Sequence, residues 1–374
     1  MELKANREKC GGGLSYLLPD NVVFLIFLKL SVKSLLRIRC VSKSWRSCIS
    51  DPNFIKTHVN VQSHRRLLTI SPLQLGYSLH SINLEPTKAT TINDIEELKI
   101  TDILDIEPCG DEWLKIIGSC NGLVCILYDK SFSFRRLYIV NPSTRVSKKV
   151  PKFDFWYWMT SETYGFGYDH TVDDYKLLKA HKDNVHIYSL KTNSWKKAQS
   201  CFPRDYYEPI GTLLGTTLNG AIHWLCIDLE QQQPPLVIVG FSLADEKFWK
   251  SPVPIGFPRS PFELGVFRGC LCVLSRNNGD FWVMEEYGET QSWTKVVIET
   301  PSFNTENLVL PRSDELLKND ELLFATDFGK FVLWNTRERT SRDLILPGIQ
   351  DANRYKFLRV GGYVESLVSP IMGV

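Results

Sequence analysis

The run Asp169-His170-Thr171-Val172-Asp173-Asp174 gathers three carboxylates and an imidazole within one short stretch, side chains able to hold a divalent cation. The aspartates do not follow the spacing of a calcium-binding loop, however. The run also lies between two aromatic, strand-like stretches, "YGFGYD" and "YKLLKA", so a hairpin turn with solvated side chains is expected. Cys270 and Cys272 stand two apart, but no second pair or nearby histidine completes a tetrahedral site. His223 sits beside Trp224 in "AIHWLC" and reads as a core histidine of a strand. Gly165-Phe166-Gly167 stops short of a dinucleotide fingerprint, and Gly11-Gly12-Gly13 follows no strand. There is no G-x-S-x-G and no Walker sequence. The expectation is a chain without catalytic residues, metal or cofactor.

The elements carrying these residues belong to a chain of 374 residues with 43% hydrophobic and 23% charged content, ordinary for a globular protein. The 20 Phe, 14 Tyr and 10 Trp favour a β-rich fold. A net charge of +2 argues against nucleic acid as the main partner. Basic doublets (Arg135-Arg136, Lys148-Lys149, Lys196-Lys197) read as solvated strand edges. Ten scattered cysteines fit reduced thiols in the cytoplasm and/or nucleus. The apolar run Val22–Leu28 is far shorter than the ~20 residues that cross a bilayer, and Asp20 precedes it, so neither a membrane span nor a signal peptide is expected.

Residues 1–13 read as a tail. Pro19 and Asp20 suit the start of a helix, which runs to about Leu30. Ser31–Ser34 is a turn into a second helix, Leu35–Arg39. In "VSKSWRSCIS", Val41, Trp45 and Ile49 fall at i, i+4 and i+8 on one face of a third. Asp51-Pro52 closes it and caps a further turn through Phe54 and Ile55. Residues 18–50, within a module bounded at 14–60, hold three short helices that bury too little surface to stand alone, and the first is apolar all round. It must be shared with the rest of the chain or with a second protein.

Beyond residue 60 the pattern becomes strand-like. A turn followed by an apolar strand recurs at Asn121-Gly122, Asn219-Gly220, Arg268-Gly269 and Asn319-Asp320, at multiples of about 50 residues. After each comes strand, polar turn, strand, with Trp195, Trp249 or Trp293 opening three of the second strands. Two hairpins per unit give four-stranded blades near 116–150, 164–199, 214–254, 264–299 and 318–346. The leftover strands 65–71 and 355–369 join into one more. The expected fold is mainly β: a small three-helix module followed, over residues 61–374, by a kelch-like β-propeller of about six blades. The acidic segment "NDIEELKITDILDIEPCGDEW" (93–113) reads as an exposed loop.

"LLPDNVVFLIFLKLSVKSLLRIRCVSKSWRSCISDPNF" resembles an F-box, through Leu18-Pro19, Lys33-Ser34-Leu35 and Cys40 to Trp45. It departs at Ser31, where a proline is usual, and at Leu25 and Phe27, commonly acidic and aliphatic. The stretch from "GSCNGLVCI" through "NPSTR", "YGFGYD" and "NGAIHWL" resembles the plant F-box-associated domain of F-box/kelch-repeat proteins, and "YVESLVS" resembles the ending of S-locus F-box proteins and their relatives. The resemblance implies docking on a Skp1-type adaptor and, through it, a cullin–RING ubiquitin ligase. The residues expected to carry that docking are Leu18, Pro19, Val22, Val23, Ile26, Phe27, Leu30, Leu35, Leu36, Val41 and Trp45.

Three inter-blade loops stand at equivalent positions: "KFDFWYWMTSETY" (152–164), "FPRDYYE" (202–208) and "FPRSPFE" (257–263). Their Trp156, Tyr157, Trp158, Arg204, Tyr206, Tyr207, Arg259 and Phe262 form either a target-binding surface or wedges between blades. The function expected is target recognition for a ubiquitin ligase, with no catalysis in this chain. The rival is a stand-alone propeller enzyme or sugar-binding module whose N-terminal helices merely pack on it. Co-purification with a Skp1-type adaptor separates the two.

Overall fold

The computed structural model describes residues 19–61, 64–72, 77–83, 94–99, 103–104, 112–130, 134–152, 162–181, 184–202, 207–209, 214–230, 232, 235–254, 262–275, 280–297, 321–325, 331–335, 337–345 and 359–371. Four helices come first: α1 (Asp20–Leu28), α2 (Val32–Ile38), α3 (Lys43–Ile49) and α4 (Pro52–Val61). Pro19 is the extended residue before α1, and its carbonyl accepts from the Val22 and Val23 amides at 2.9 and 3.1 Å. Ser31, where a proline is usual, caps α2, its hydroxyl accepting from the Ser34 amide at 3.4 Å. The turn expected after Asp51-Pro52 is a full fourth helix. Asp51 Oδ1 takes the amides of Asn53 (2.8 Å) and Phe54 (3.2 Å), and Pro52 needs no partner at the first helical position.

The helices enclose Phe27, Leu28, Val32, Leu35, Ile49 and Phe54. Phe24 meets Phe54 edge-on at 5.3 Å, and Phe27 meets Trp45 likewise at 5.6 Å. His58 stacks on Phe54, and its Nε2 donates to the Leu30 carbonyl at 3.0 Å. Burial holds this imidazole below its ordinary pKa against the opposing pull of that carbonyl.

The described residues after the helices form six antiparallel sheets. One orders β4 (Glu112–Cys120), β5 (Leu123–Lys130), β6 (Phe134–Asn141) and β7 (Val146–Lys149). The next orders β8 (Thr163–Asp169), β9 (Asp174–His181), β10 (Asn184–Ser189) and β11 (Ser194–Lys197). In the third, β12 (Tyr207–Pro209) and β13 (Thr216–Leu218) both pair with β14 (Ala221–Asp228), followed by β15 (Leu236–Ser242) and β16 (Phe248–Pro252). Then come β17 (Phe262–Phe267), β18 (Cys270–Ser275), β19 (Asp280–Met284) and β20 (Trp293–Val297), and a three-stranded sheet of β21 (Glu321–Ala325), β22 (Phe331–Asn335) and β23 (Thr340–Leu344). The last orders β24 (Arg359–Val364), β1 (Arg65–Pro72), β2 (Tyr77–Asn83) and β3 (Ile95–Lys99), so both ends of the region share one sheet. Its register runs from Arg65 opposite Val364 to Ile70 opposite Arg359.

The opening strands β24, β4, β8, β13 and β17 touch one another, which sets the sheets side by side around an axis. The acidic segment is not wholly a loop. Ile95–Lys99 is the outer strand β3, and Leu98, Ile103 and Leu104 are buried against the cores of the first two sheets in the chain. Its apolar residues find a core that charge counting alone does not reveal.

The repeated turns have a common geometry. Asn121, Asn219 and Arg268 have φ of 51°, 50° and 51°, each followed by a glycine at 82°, 71° or 73°. Two successive left-handed residues make the tight hairpin turn whose twist suits a β-ribbon. Asn319-Asp320, the fourth such pair, lies outside the described residues.

Candidate functional site

Helix α1 cannot hide all its apolar side chains. Phe27 and Leu28 are buried and Val22, Val23 and Phe24 half-buried, while Leu25 is 58% and Ile26 42% exposed. Val41, between α2 and α3, is 70% exposed. Leu30, Leu36 and Trp45 are half-buried around the module's core, and Pro19 is exposed at its start. Two residues expected on the docking surface, Phe27 and Leu35, instead fill the core, where they pack with Leu28, Val32, Ile49 and Phe54. Leu18 lies outside the described residues.

Between residues 19 and 61 stand seven basic residues and two acidic ones. Lys56 pairs with Asp173, but Lys29, Lys33, Arg37, Arg39, Lys43 and Arg46 form no ion pair among the described residues. Exposed aliphatic side chains amid unpaired cations suit an apolar, acidic protein surface.

The module sits on a definite rim. In an up-and-down sheet, first-to-second and third-to-fourth strand turns share one edge, and the remaining connections share the other. Lys56 reaches Asp173, in the β8–β9 turn, at 2.5 Å. Asp173 also accepts from the Tyr168 hydroxyl. The cluster considered as a cation site is thus used internally: Asp169 accepts from Thr171 and pairs with Lys176 at 2.7 Å, and Asp174 takes the Lys191 amide at 2.8 Å and the Ser189 hydroxyl. Asp169 and Asp174 are buried rather than solvated.

A second contact comes from the far end of the chain. Beyond β24, Asn141 at the end of β6 donates its side-chain amide to the carbonyls of Ser366 (2.9 Å) and Val368 (2.7 Å). Its Oδ1 meanwhile caps the turn at Ser143 and Thr144. Leu367, 5% exposed, is part of the helical module's core. Nothing in the helical sequence announced this; the one signal was the asparagine opening "NPSTR".

On the opposite rim lie Glu162, Phe202 and Phe262, the described residues flanking the loops expected to bind a target. Trp156, Tyr157, Trp158, Arg204, Tyr206 and Arg259 fall outside the described residues. Tyr207 is placed on β12 opposite Asp228. Phe262 is 6% exposed and packs with Leu218, Leu236 and Leu271 in a core shared by adjacent sheets, so this member is a wedge, as a phenylalanine opening the first strand of a sheet must be. On this rim too, Arg135 is no solvated edge. Its guanidinium bonds Asp129 (2.8 Å) and Glu162 (2.7 Å), and Lys179 joins Glu162 at 2.9 Å. Burial pushes the Glu162 carboxyl up, but Lys179, the Tyr164 hydroxyl and Arg135 outweigh it and hold the group below its ordinary range.

His223 is fully buried, as its setting implied. Its Nδ1 donates to the Thr216 carbonyl at 3.0 Å, which leaves Nε2 to accept from the Tyr287 hydroxyl at 2.9 Å. Burial, against that carbonyl bond, lowers its pKa to about 4. Among the described residues no cluster of His, Cys, Asp and Glu has the makings of a metal site, and no helix is long and apolar enough to cross a membrane.

Residues 72–372 match the model of the F-box associated beta propeller domain, and residues 16–57 match that of the F-box domain. The chain is an F-box protein of the F-box-associated β-propeller family. An F-box/kelch-repeat protein of Arabidopsis thaliana is 30% identical over 75% of this chain and 79% of its own length. The F-box protein CPR1 of Arabidopsis thaliana is 30% identical over 75% of this chain and 72% of its own. A further Arabidopsis thaliana F-box protein is 26% identical over 91% of this chain and 89% of its own. The F-box is therefore helices α1–α4, and the family domain is the set of sheets on which it sits.

Proposed function

We propose that this F-box protein is the target-recognition subunit of an SCF-type ubiquitin ligase, binding a Skp1-type adaptor through its F-box and a target protein through its propeller, in the cytoplasm or nucleus. The observation that carries this is the exposure of Leu25, Ile26 and Val41 beside six cations that form no ion pair among the described residues. The chain supplies no chemistry; it raises the local concentration of target lysines near a charged ubiquitin carrier.

The F-box contacts the rim of Asp173 and Asn141, which supports placing the target on the opposite rim. The residues proposed to contact it are Trp156, Tyr157, Trp158, Arg204, Tyr206, Tyr207 and Arg259. Co-expression with a Skp1-type adaptor tests the first half: a stable complex supports it, and a chain that purifies alone under conditions where other F-box proteins capture the adaptor overturns it. For the second half, proximity labelling with the proteasome blocked should recover a target whose labelling drops when Trp156 and Trp158, or Arg204 and Arg259, become alanine. Capture unchanged by both pairs would move the target surface elsewhere.

A further inference from the structure

The chain's last described residues do something no propeller strand requires. After β24 the backbone leaves the sheet and crosses to the F-box. The Glu365 amide donates to the His64 carbonyl at 3.0 Å, immediately beyond the linker from α4, and the Glu365 carboxylate pairs with buried Arg66 at 3.2 Å. Ser366 lies against Gly122, where even a methyl group would come within 2.2 Å of its hydroxyl oxygen. Leu367 enters the F-box core with Phe27, Leu35 and Phe54, while Val368 packs against the core between the β4–β7 and β8–β11 sheets. Asn141 holds the carbonyls on either side of Leu367.

We propose that Glu365–Val368 is a pin that fixes the F-box in one orientation on the propeller, with Leu367 and Asn141 as its positioning residues. Two domains joined by a short linker and a small polar contact ordinarily move relative to one another. Here Lys56–Asp173 is an exposed ion pair that contributes little by itself. The apolar anchor inside the F-box comes from a segment about 300 residues away in sequence, already held by β24. The pin stands on geometry alone. Its consequence, that a target is presented at one distance from the adaptor, rests on the ligase reading above.

Cys40 on the F-box and Cys201 on the propeller are both exposed, and Cys125, Cys226 and Cys272 are buried. Spin labels on Cys40 and Cys201, in a full-length chain with Cys10, Cys48, Cys109, Cys120 and Cys270 replaced by alanine, report the inter-domain distance. One narrow distance is expected, and its loss, as a broad or multiple distribution, in Leu367→Ala and in Asn141→Ala. If Leu367→Ala fails to fold, Asn141→Ala decides, since it removes the hydrogen bonds to the Ser366 and Val368 carbonyls, along with the cap on the Ser143–Thr144 turn, without opening the F-box core. A narrow, unshifted distance in both variants overturns the pin. Adaptor pull-down on the same samples reads the ligase proposal separately: a pinned chain that ignores the adaptor would sink that reading and leave the pin standing.

Discussion

Leu367 and Val368 are neighbours in the chain, yet their side chains lie in different domains, one in the F-box core and the other against the propeller core. Successive residues of an extended segment point to opposite sides, so a single strand-like stretch passing between two bodies can anchor in both. Asn141 holds this stretch in place by binding the carbonyls of Ser366 and Val368.

Exposed and buried apolar residues of the F-box should separate cleanly. Leu25→Asp with Ile26→Asp should weaken adaptor binding by roughly thirtyfold or more, the effect of losing about 2 kcal/mol at an interface, and leave the melting curve unchanged. Leu35→Ala, in the core, should instead cost about 2–5 kcal/mol of F-box stability. Titration calorimetry with the adaptor and thermal melts of both variants check this. A charge pair that binds the adaptor normally would remove α1 from the interface.

Closure of the propeller depends on β24. A chain ending at Leu346 exposes the β1 edge from Arg65 to Ile70 and takes the Tyr363 hydroxyl from Ser81, 2.7 Å away. It should aggregate or lose its cooperative melt, as read by size-exclusion chromatography and calorimetry. A soluble truncation with the full-length melting curve would show that β24 adds nothing to the fold.

Acid should destabilise the propeller through His223. Its folded pKa of about 4 lies below the ordinary value of 6.5, so the unfolded chain takes up the proton first. Stability is therefore intact above pH 6.5 and falls as pH drops toward 4. The loss from this group is about 2 kcal/mol at pH 5 and nearer 3 kcal/mol below pH 4. Urea titrations at pH 7 and pH 5 should show it, with a smaller difference in His223→Gln. An equal difference in both proteins would assign the acid sensitivity to other groups.

Gly240 faces Trp249 across β15 and β16, and a methyl group there would lie 2.2 Å from the indole ring. Gly240→Ala should displace Trp249 and cost about 1–3 kcal/mol. The urea midpoint and tryptophan fluorescence should shift together; a shift in neither would mean the indole has room to move.

Periodicity and turn chemistry made much of this protein legible before any coordinates. Asn-Gly and Arg-Gly pairs at regular intervals mark tight hairpins because few residues tolerate two left-handed conformations in succession. Trp45 and Ile49 share a face of α3 for a similarly local reason, since a helix brings i and i+4 together, but Val41 precedes the helix and stays exposed. The apolar excess of α1 likewise announced a surface that its own small module could not cover, and Leu25 and Ile26 are exposed. What local pattern could not determine was which apolar residues stay exposed, because Leu25 and Leu28 are the same in sequence and differ only in what packs on them. Nor could it place β3 within an acidic stretch, or make Phe262 a wedge. The union of Leu367 with Phe54 lay furthest out of reach. A contact between such distant segments depends on the ring closing and on where the chain after the closing strand meets the F-box, and those are properties of the tertiary structure alone.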